Sequence, residues 1–172
     1  MSYLPPRPLE ERDDVDNFHS QSNEQTSWLI RHAKQSAASN STKVFVVTQE
    51  NERNVVAYYA WTMAHLHLSD SPTRLTKGAG RYPQPVALLA RLAVDDRHVG
   101  YGLGAGLLAD VIARFILIGG EIGCRGLLIH AESEEARRFY MHLVPELETS
   151  PTDRLHLVLL LKDAQQTLRH RA

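Results

Sequence analysis

Four glycines alternate at Gly100, Gly102, Gly104 and Gly106. Before them lies an apolar run, residues 85–94, that reads as a buried strand. After them, residues 103–118 place Leu107, Leu108, Val111, Ile112, Phe115 and Ile116 on one broad helical face. Glycine lets backbone approach a ligand closely and reaches positive φ without a steric penalty. The first turn of a helix has N–H groups without intrahelical partners and carries the positive end of the helix dipole. Glycines at a strand-to-helix junction therefore point to an anion site, most often one for phosphate. The plain alternative is a flexible turn.

The motif itself narrows the phosphate ligand only partly. No Gly-Lys-Ser/Thr follows, so a Walker loop is excluded. Gly100, Gly102 and Ala105 satisfy the dinucleotide pattern G-x-G-x-x-A, and Glu121 lies near the distance of a ribose-binding acid. Against that reading, residues 95–99 separate the strand from the glycines, and Glu121 precedes the next strand instead of ending it. A nicotinamide or flavin site stays open as the minor reading.

The elements that must position this turn fit one domain. The chain has 172 residues, 43% hydrophobic and 23% charged, enough for a single core. Residues 1–17 and 163–172 are expected to be less ordered. No apolar run reaches the roughly 20 residues that span a bilayer, and the start of the chain does not read as a signal or transit peptide, so the cytoplasm is the expected compartment. The formal net charge of −1 excludes a whole-surface nucleic-acid footprint. Cys124 is the only cysteine, which rules out an intrachain disulfide and a thiolate metal cluster and reads as a structural thiol.

Residues 3–8 read as an edge strand because their prolines exclude a central one. Ser22 or Asn23 caps a helix running to about Ala37. Residues 43–48 and 55–66 form an antiparallel hairpin. Residues 69–84 are a loop, long for one without function. Strands at 85–94, 126–131 and 155–161 then alternate with helices at 103–118 and 133–143, an α/β layer with covered faces. The last residues, 167–172, are expected to fray.

In this setting the residues resemble the GNAT acetyltransferase superfamily, whose pyrophosphate signature is Q/R-x-x-G-x-G/A. Residues 97–102, from Arg97 to Gly102, fit it literally. Spacing from the strand and into the helix favours the register Val99-Gly100-Tyr101-Gly102-Leu103-Gly104, with Val99 where the family prefers Gln or Arg. Arg97 is then the candidate to supply the missing side chain. Ala90 to Asp95, Leu127 to Ala131, Ala136 to Tyr140, Phe18 with Trp28-Leu29, and Tyr58-Tyr59-Ala60 are similar to one branch, the toxins of toxin–antitoxin operons. The likeness covers about residues 18–161.

The resemblance implies a GNAT fold with a single mixed central sheet and helices on both faces, and acetyl-CoA as co-substrate without a metal. It implies an oxyanion donor from the backbone of Leu92, Ala93 and Val94, and a general acid at Tyr140, a phenol near pKa 10 and so protonated at neutral pH. No general base is evident, with His98 and His130 more plausible as structural residues. A base is dispensable for an α-amine of pKa near 8, less so for lysine near 10.4. In the branch the acceptor is the α-amine of an aminoacyl-tRNA. Arg31, Lys34, Lys43, Arg74, Lys77, Arg81 and Arg91 are the candidate tRNA contacts. A ribbon-helix-helix antitoxin and a homodimer are implied as well. Two alternatives stay open: acetylation of a small amine or protein N-terminus, and a catalytically silent acetyl-CoA-binding module.

Overall fold

Residues 2–169 are described by the computed structural model. In chain order the elements are β1 (Arg7–Pro8), α1 (Asn23–Arg31), α2 (Ala33–Ala38), β2 (Lys43–Val47), β3 (Ala57–Leu66), α3 (Thr73–Thr76), β4 (Gln84–Val94), α4 (Leu103–Gly119), β5 (Gly126–His130), α5 (Glu134–Leu143), β6 (Glu148–Thr149), β7 (His156–Leu160) and α6 (Leu161–Arg169). The strands form one mixed seven-stranded sheet in the order β1-β2-β3-β4-β5-β7-β6. β2 and β3 pair antiparallel with Phe45 opposite Tyr59, β4 and β5 pair parallel, and β5 and β7 pair antiparallel. The expected α/β class with a single mixed sheet is the one observed.

The helix starts follow capping chemistry. Ser22 is extended, and its Oγ accepts from the Gln25 N–H at 3.1 Å, satisfying one of the first-turn donors of α1. Ser133 does the same for α5 through the Ala136 N–H at 3.1 Å. The helix expected to run unbroken to Ala37 is instead split at His32, whose φ of −125° leaves the helical range. α6 directly follows β7, so residues 163–169, expected to fray, continue a helix. The rest of that expectation, 170–172, lies outside the described residues, as does Met1. Among the described residues no helix is long and apolar enough to cross a membrane.

The chain divides into two compact units. The first comprises the residues through Thr62 together with Ala90–Asp110. Its core gathers Phe18, Leu29, Val44, Val46, Tyr58 and Ala93. Tyr58 meets Phe18 edge-on at 5.6 Å, stacks on Trp28 at 6.1 Å, and donates its hydroxyl to the Gln25 carbonyl at 2.6 Å. That bond offsets the cost of burying the phenol. The edge strand β1 is held by pairing with β2 and by Arg7, which makes a two-pronged ion pair with buried Asp13 at 2.7 and 2.8 Å.

The second unit comprises Met63–Leu89 and the residues from Val111 onward. Leu66, Leu75, Val86, Leu128, Val158 and Leu160 form a core cluster there. The stretch expected as a loop at 69–84 is partly ordered by α3, whose Leu75 is fully buried. Cys124 is buried, and burial pushes its thiol pKa up despite backbone hydrogen bonds from Ala87 and Gly126, which fits a structural thiol. Gly126 opens β5 against a tight neighbour: an added Cβ lies 3.2 Å from Val158 Cγ1 and 3.4 Å from the Leu159 carbonyl. Gly126→Ala is therefore expected to destabilise the fold by about 1–3 kcal/mol, read as a lower midpoint in urea. An unchanged midpoint would show that β7 yields freely.

Candidate active site

The glycine turn is built from a buried carboxylate upward. β4 ends at Val94, and the Asp95 N–H donates to the Val56 carbonyl at 2.8 Å. The Asp95 carboxylate is buried. It accepts from the Arg97 N–H at 2.9 Å, from Arg97 Nε and Nη2 at 3.0 Å each, and from the His19 N–H at 3.1 Å. These bonds cap a single 3-10 turn, Asp96–His98. Burial alone would raise the Asp95 pKa, but the hydrogen bonds from Arg97 and from the Arg97 and His19 backbone, with the Arg97 charge, outweigh it and hold the group down at about 2.

The N-terminal segment grips the same turn. Asp96 N–H donates to the His19 carbonyl at 2.8 Å, and His19 Nδ1 meets Asp96 Oδ2 at 2.7 Å. Arg97 Nη2 reaches the Asn17 carbonyl at 2.8 Å, and the Tyr3 hydroxyl meets His98 Nδ1 at 2.8 Å. Tyr3, Asn17 and His19 are supporting residues that sequence reasoning missed. They lie 76 to 95 positions from their partners, so no local pattern marks them.

From this anchor the chain runs through exposed Val99 to Gly100 at φ 90° and Gly102 at φ 79°. Both values are strained for any residue with a side chain. A Cβ at either position meets nothing within 4 Å, so conformation and not crowding requires glycine, and the surface beside the turn is open. The Gly106 N–H bonds back to the Gly102 carbonyl at 3.0 Å, which starts α4 there. By helix geometry the N–H groups of Leu103, Gly104 and Ala105 have no acceptor one turn earlier. Open backbone amides at a dipole's positive end fit a pyrophosphate.

The Arg97 guanidinium bonds through Nε and Nη2 to Asp95 and the Asn17 carbonyl, while its side chain stays largely exposed. The exposed large side chains of the turn, Val99 and Tyr101, carry no charge. On β4, Ala93 enters the first unit's core, while Leu92 and Val94 are half-buried. Arg91 lies over the Trp28 ring at 4.9 Å and donates to Gln25 Oε1 at 3.0 Å, with Glu24 at 3.5 Å.

Tyr140 belongs to the second unit, on α5. It is buried, with Phe139 edge-on at 5.3 Å. Burial, reinforced by the charge of Glu132, pushes its phenol pKa well above the usual tyrosine value. His130 stacks on His156 at 3.9 Å, and burial followed by His156 lowers its pKa against a smaller opposing pull from Asp153.

The other basic candidates divide by partner. Arg31, Lys43, Lys77 and Arg81 are exposed. Lys34 donates to the Glu11 carbonyl at 2.7 Å. Arg74 is compensated by Asp163 at 2.8 and 3.1 Å and by Glu148 at 3.3 Å.

Because the folded-state pKa of Asp95 is depressed, its stabilising contribution is full above the unfolded value near 4 and disappears as pH falls toward 2. Asp95→Asn is expected to lose about 2 kcal/mol at pH 7 and to show a flatter decline in urea stability between pH 4 and 2 than the parent chain. Parallel curves would remove Asp95 as the anchor.

No protein-family model matches the chain. A tRNA-acetylating toxin of Mycobacterium tuberculosis is 39% identical over 163 residues, covering 95% of each chain. Among solved structures, the toxin AtaT complexed with acetyl-methionyl-tRNAfMet superposes with a TM-score of 0.86 at 20% identity, over 97% of this chain and 99% of that one. A tyrosine-to-phenylalanine mutant of AtaT, bound to acetyl-CoA and to the C-terminus of the antitoxin AtaR, gives 0.80 at 19% identity, over 98% and 99%. With that identity across nearly its whole length, the chain belongs to the GNAT-superfamily N-acetyltransferases, in the branch of the tRNA-acetylating toxins of toxin–antitoxin systems.

Proposed function

We propose that the chain transfers an acetyl group from acetyl-CoA to the α-amine of an aminoacyl-tRNA and so blocks translation. The observation that carries this reading is the full-length identity to a tRNA-acetylating toxin. The open amides after Gly102 support the cofactor half of it, and AtaT with acetyl-methionyl-tRNAfMet supports the acceptor half.

The bound thioester supplies an activated acetyl carbonyl. Residues 99–104 hold the pyrophosphate through backbone N–H groups, with the α4 dipole adding to the attraction. Backbone of Leu92, Ala93 and Val94 donates to the carbonyl oxygen as negative charge grows there. The neutral amine forms the new N–C bond while the C–S bond breaks, and Tyr140 gives its phenolic proton to the departing sulfur. The excess proton on the new amide nitrogen leaves to solvent, and the Tyr140 phenolate takes a proton back from solvent before the next turnover.

A raised phenol pKa keeps Tyr140 protonated across the neutral range and makes it a weaker acid. Against a free thiolate near pKa 8.5 the transfer is uphill, so it must accompany C–S cleavage, in surroundings that disfavour either anion.

Arg31, Lys43, Lys77, Arg81 and Arg91 are proposed as tRNA contacts, with Lys34 and Arg74 contributing less because they already have partners. Arg91, stacked on Trp28, likewise has partners in Gln25 and Glu24. A ribbon-helix-helix antitoxin, a homodimeric state and a cytoplasmic location complete the proposal; AtaT solved with the C-terminus of the antitoxin AtaR supports an antitoxin partner.

Tyr140→Phe is expected to lower kcat by about 10²–10⁴-fold with acetyl-CoA affinity kept, measured on charged tRNA. An unchanged kcat refutes the acid role. The parent rate should rise with pH through the acceptor α-amine's pKa and show no fall before about pH 10, since the raised phenol keeps its proton. A descending limb near pH 8 contradicts this assignment. Deacylated tRNA, lacking the α-amine, should accept nothing; equal labelling of charged and deacylated tRNA rejects the proposed acceptor.

A further inference from the structure

A cavity of about 430 Å³ in the second unit is lined by neither the glycine turn nor Tyr140. Its size falls in the range of small-molecule sites, roughly 300–1,000 Å³. Leu75 and Leu160 provide apolar wall, and Arg74, Lys77, Arg125 and Lys162 provide four cations.

Only Arg74 is balanced, by Asp163 and Glu148. Arg125 donates to neutral oxygens, Gln84 Oε1 at 3.0 Å and the Lys77 carbonyl at 3.3 Å. Among the described residues no carboxylate pairs with Lys77, Arg125 or Lys162. The first turn of α6 enters the same wall through Leu161 and Lys162, adding the positive end of a nine-residue helix. Like charges gathered at one cavity repel one another, and an anion seated among them relieves that repulsion. Arg125 is half-buried and held by Gln84, so part of the arrangement is fixed before a ligand arrives.

We propose that this cavity is a second anion site that takes a phosphate monoester on a nucleotide-sized body. The phosphate lies among Lys77, Arg125 and Lys162 at the start of α6, whose first N–H, that of Leu161, is already given to the Arg125 carbonyl at 3.1 Å, and the body lies against Leu75 and Leu160. A mid-chain RNA phosphodiester presents its charge on a convex surface and does not fill a concave, partly apolar cavity. The same monoester chemistry is offered by a free nucleotide and by the 5′-phosphorylated end of an RNA. The site shares Lys77 with the proposed tRNA contacts, but its ligand, a phosphate monoester, is distinct from the acetyl acceptor.

The test is calorimetric titration of the full chain saturated with coenzyme A, so that the cofactor turn is filled. AMP, adenosine, and a short RNA with and without its 5′ phosphate are the probes. AMP is expected to bind saturably and adenosine not to bind. Lys77→Gln/Lys162→Gln should weaken binding about tenfold or more, and Lys77→Arg/Lys162→Arg should restore it. Binding of AMP supports the site with a free nucleotide as its source; binding only of 5′-phosphorylated RNA supports it with an RNA end as its source. The proposal is overturned if neither phosphorylated probe saturates, if adenosine matches AMP, or if the double Gln variant binds as the parent does. Acetylation of charged tRNA by the parent chain, and by a Lys162→Gln single variant that keeps Lys77, reports separately on the acceptor reading.

Discussion

The buried Asp95 carboxylate is the constraint on which the cofactor turn depends. It sits where β4 stops and must be satisfied there, because an unpaired buried charge is costly. Its partners, the Arg97 backbone and guanidinium and the His19 backbone, fix both the direction in which the chain leaves the sheet and the segment that braces it. Gly100 and Gly102 inherit a defined starting point, and their positive φ values turn the chain into α4. A glycine turn with a free starting point would lose the arrangement of its amides to entropy.

The two groups proposed to carry acetyl transfer live in opposite environments. The turn presents open backbone amides beside exposed side chains, suited to an anion that brings its own charge. Tyr140 is sheathed by protein, which keeps its proton in place until a stronger demand arises. In such surroundings a spent proton donor is reprotonated by solvent between pH 7 and 10, and an α-amine acceptor needs little help to be neutral. The lack of an evident general base follows from the choice of acceptor.

Much of the order of elements was legible because it is carried by local chemistry. Ser22 and Ser133 mark helix starts, the alternating glycines mark the junction before α4, and the apolar runs at β2, β4 and β5 mark buried strands. What was not legible depends on distance or on the lack of punctuation. Leu160 ends β7 and Leu161 begins α6 with no turn residue between them, so the helix looked like the strand's end followed by a tail. β6 is two residues long and has no pattern of its own. The bond from Arg97, the candidate phosphate side chain, to the Asn17 carbonyl spans 80 positions, and the pairing of Arg74, a candidate tRNA contact, with Asp163 spans 89. The glycine motif survived this ambiguity because positive φ is a property of the residue itself.

The central claim is that acetyl groups pass from acetyl-CoA, held at the glycine turn, to aminoacyl-tRNA. The most direct measurement is a cell-free translation reaction run with the purified chain and radiolabelled acetyl-CoA, followed by separation of tRNA from protein. The account predicts that translation stops and that label is recovered on the tRNA fraction as an N-acetylated amino acid. Label confined to protein or small amines, with translation continuing, would contradict it.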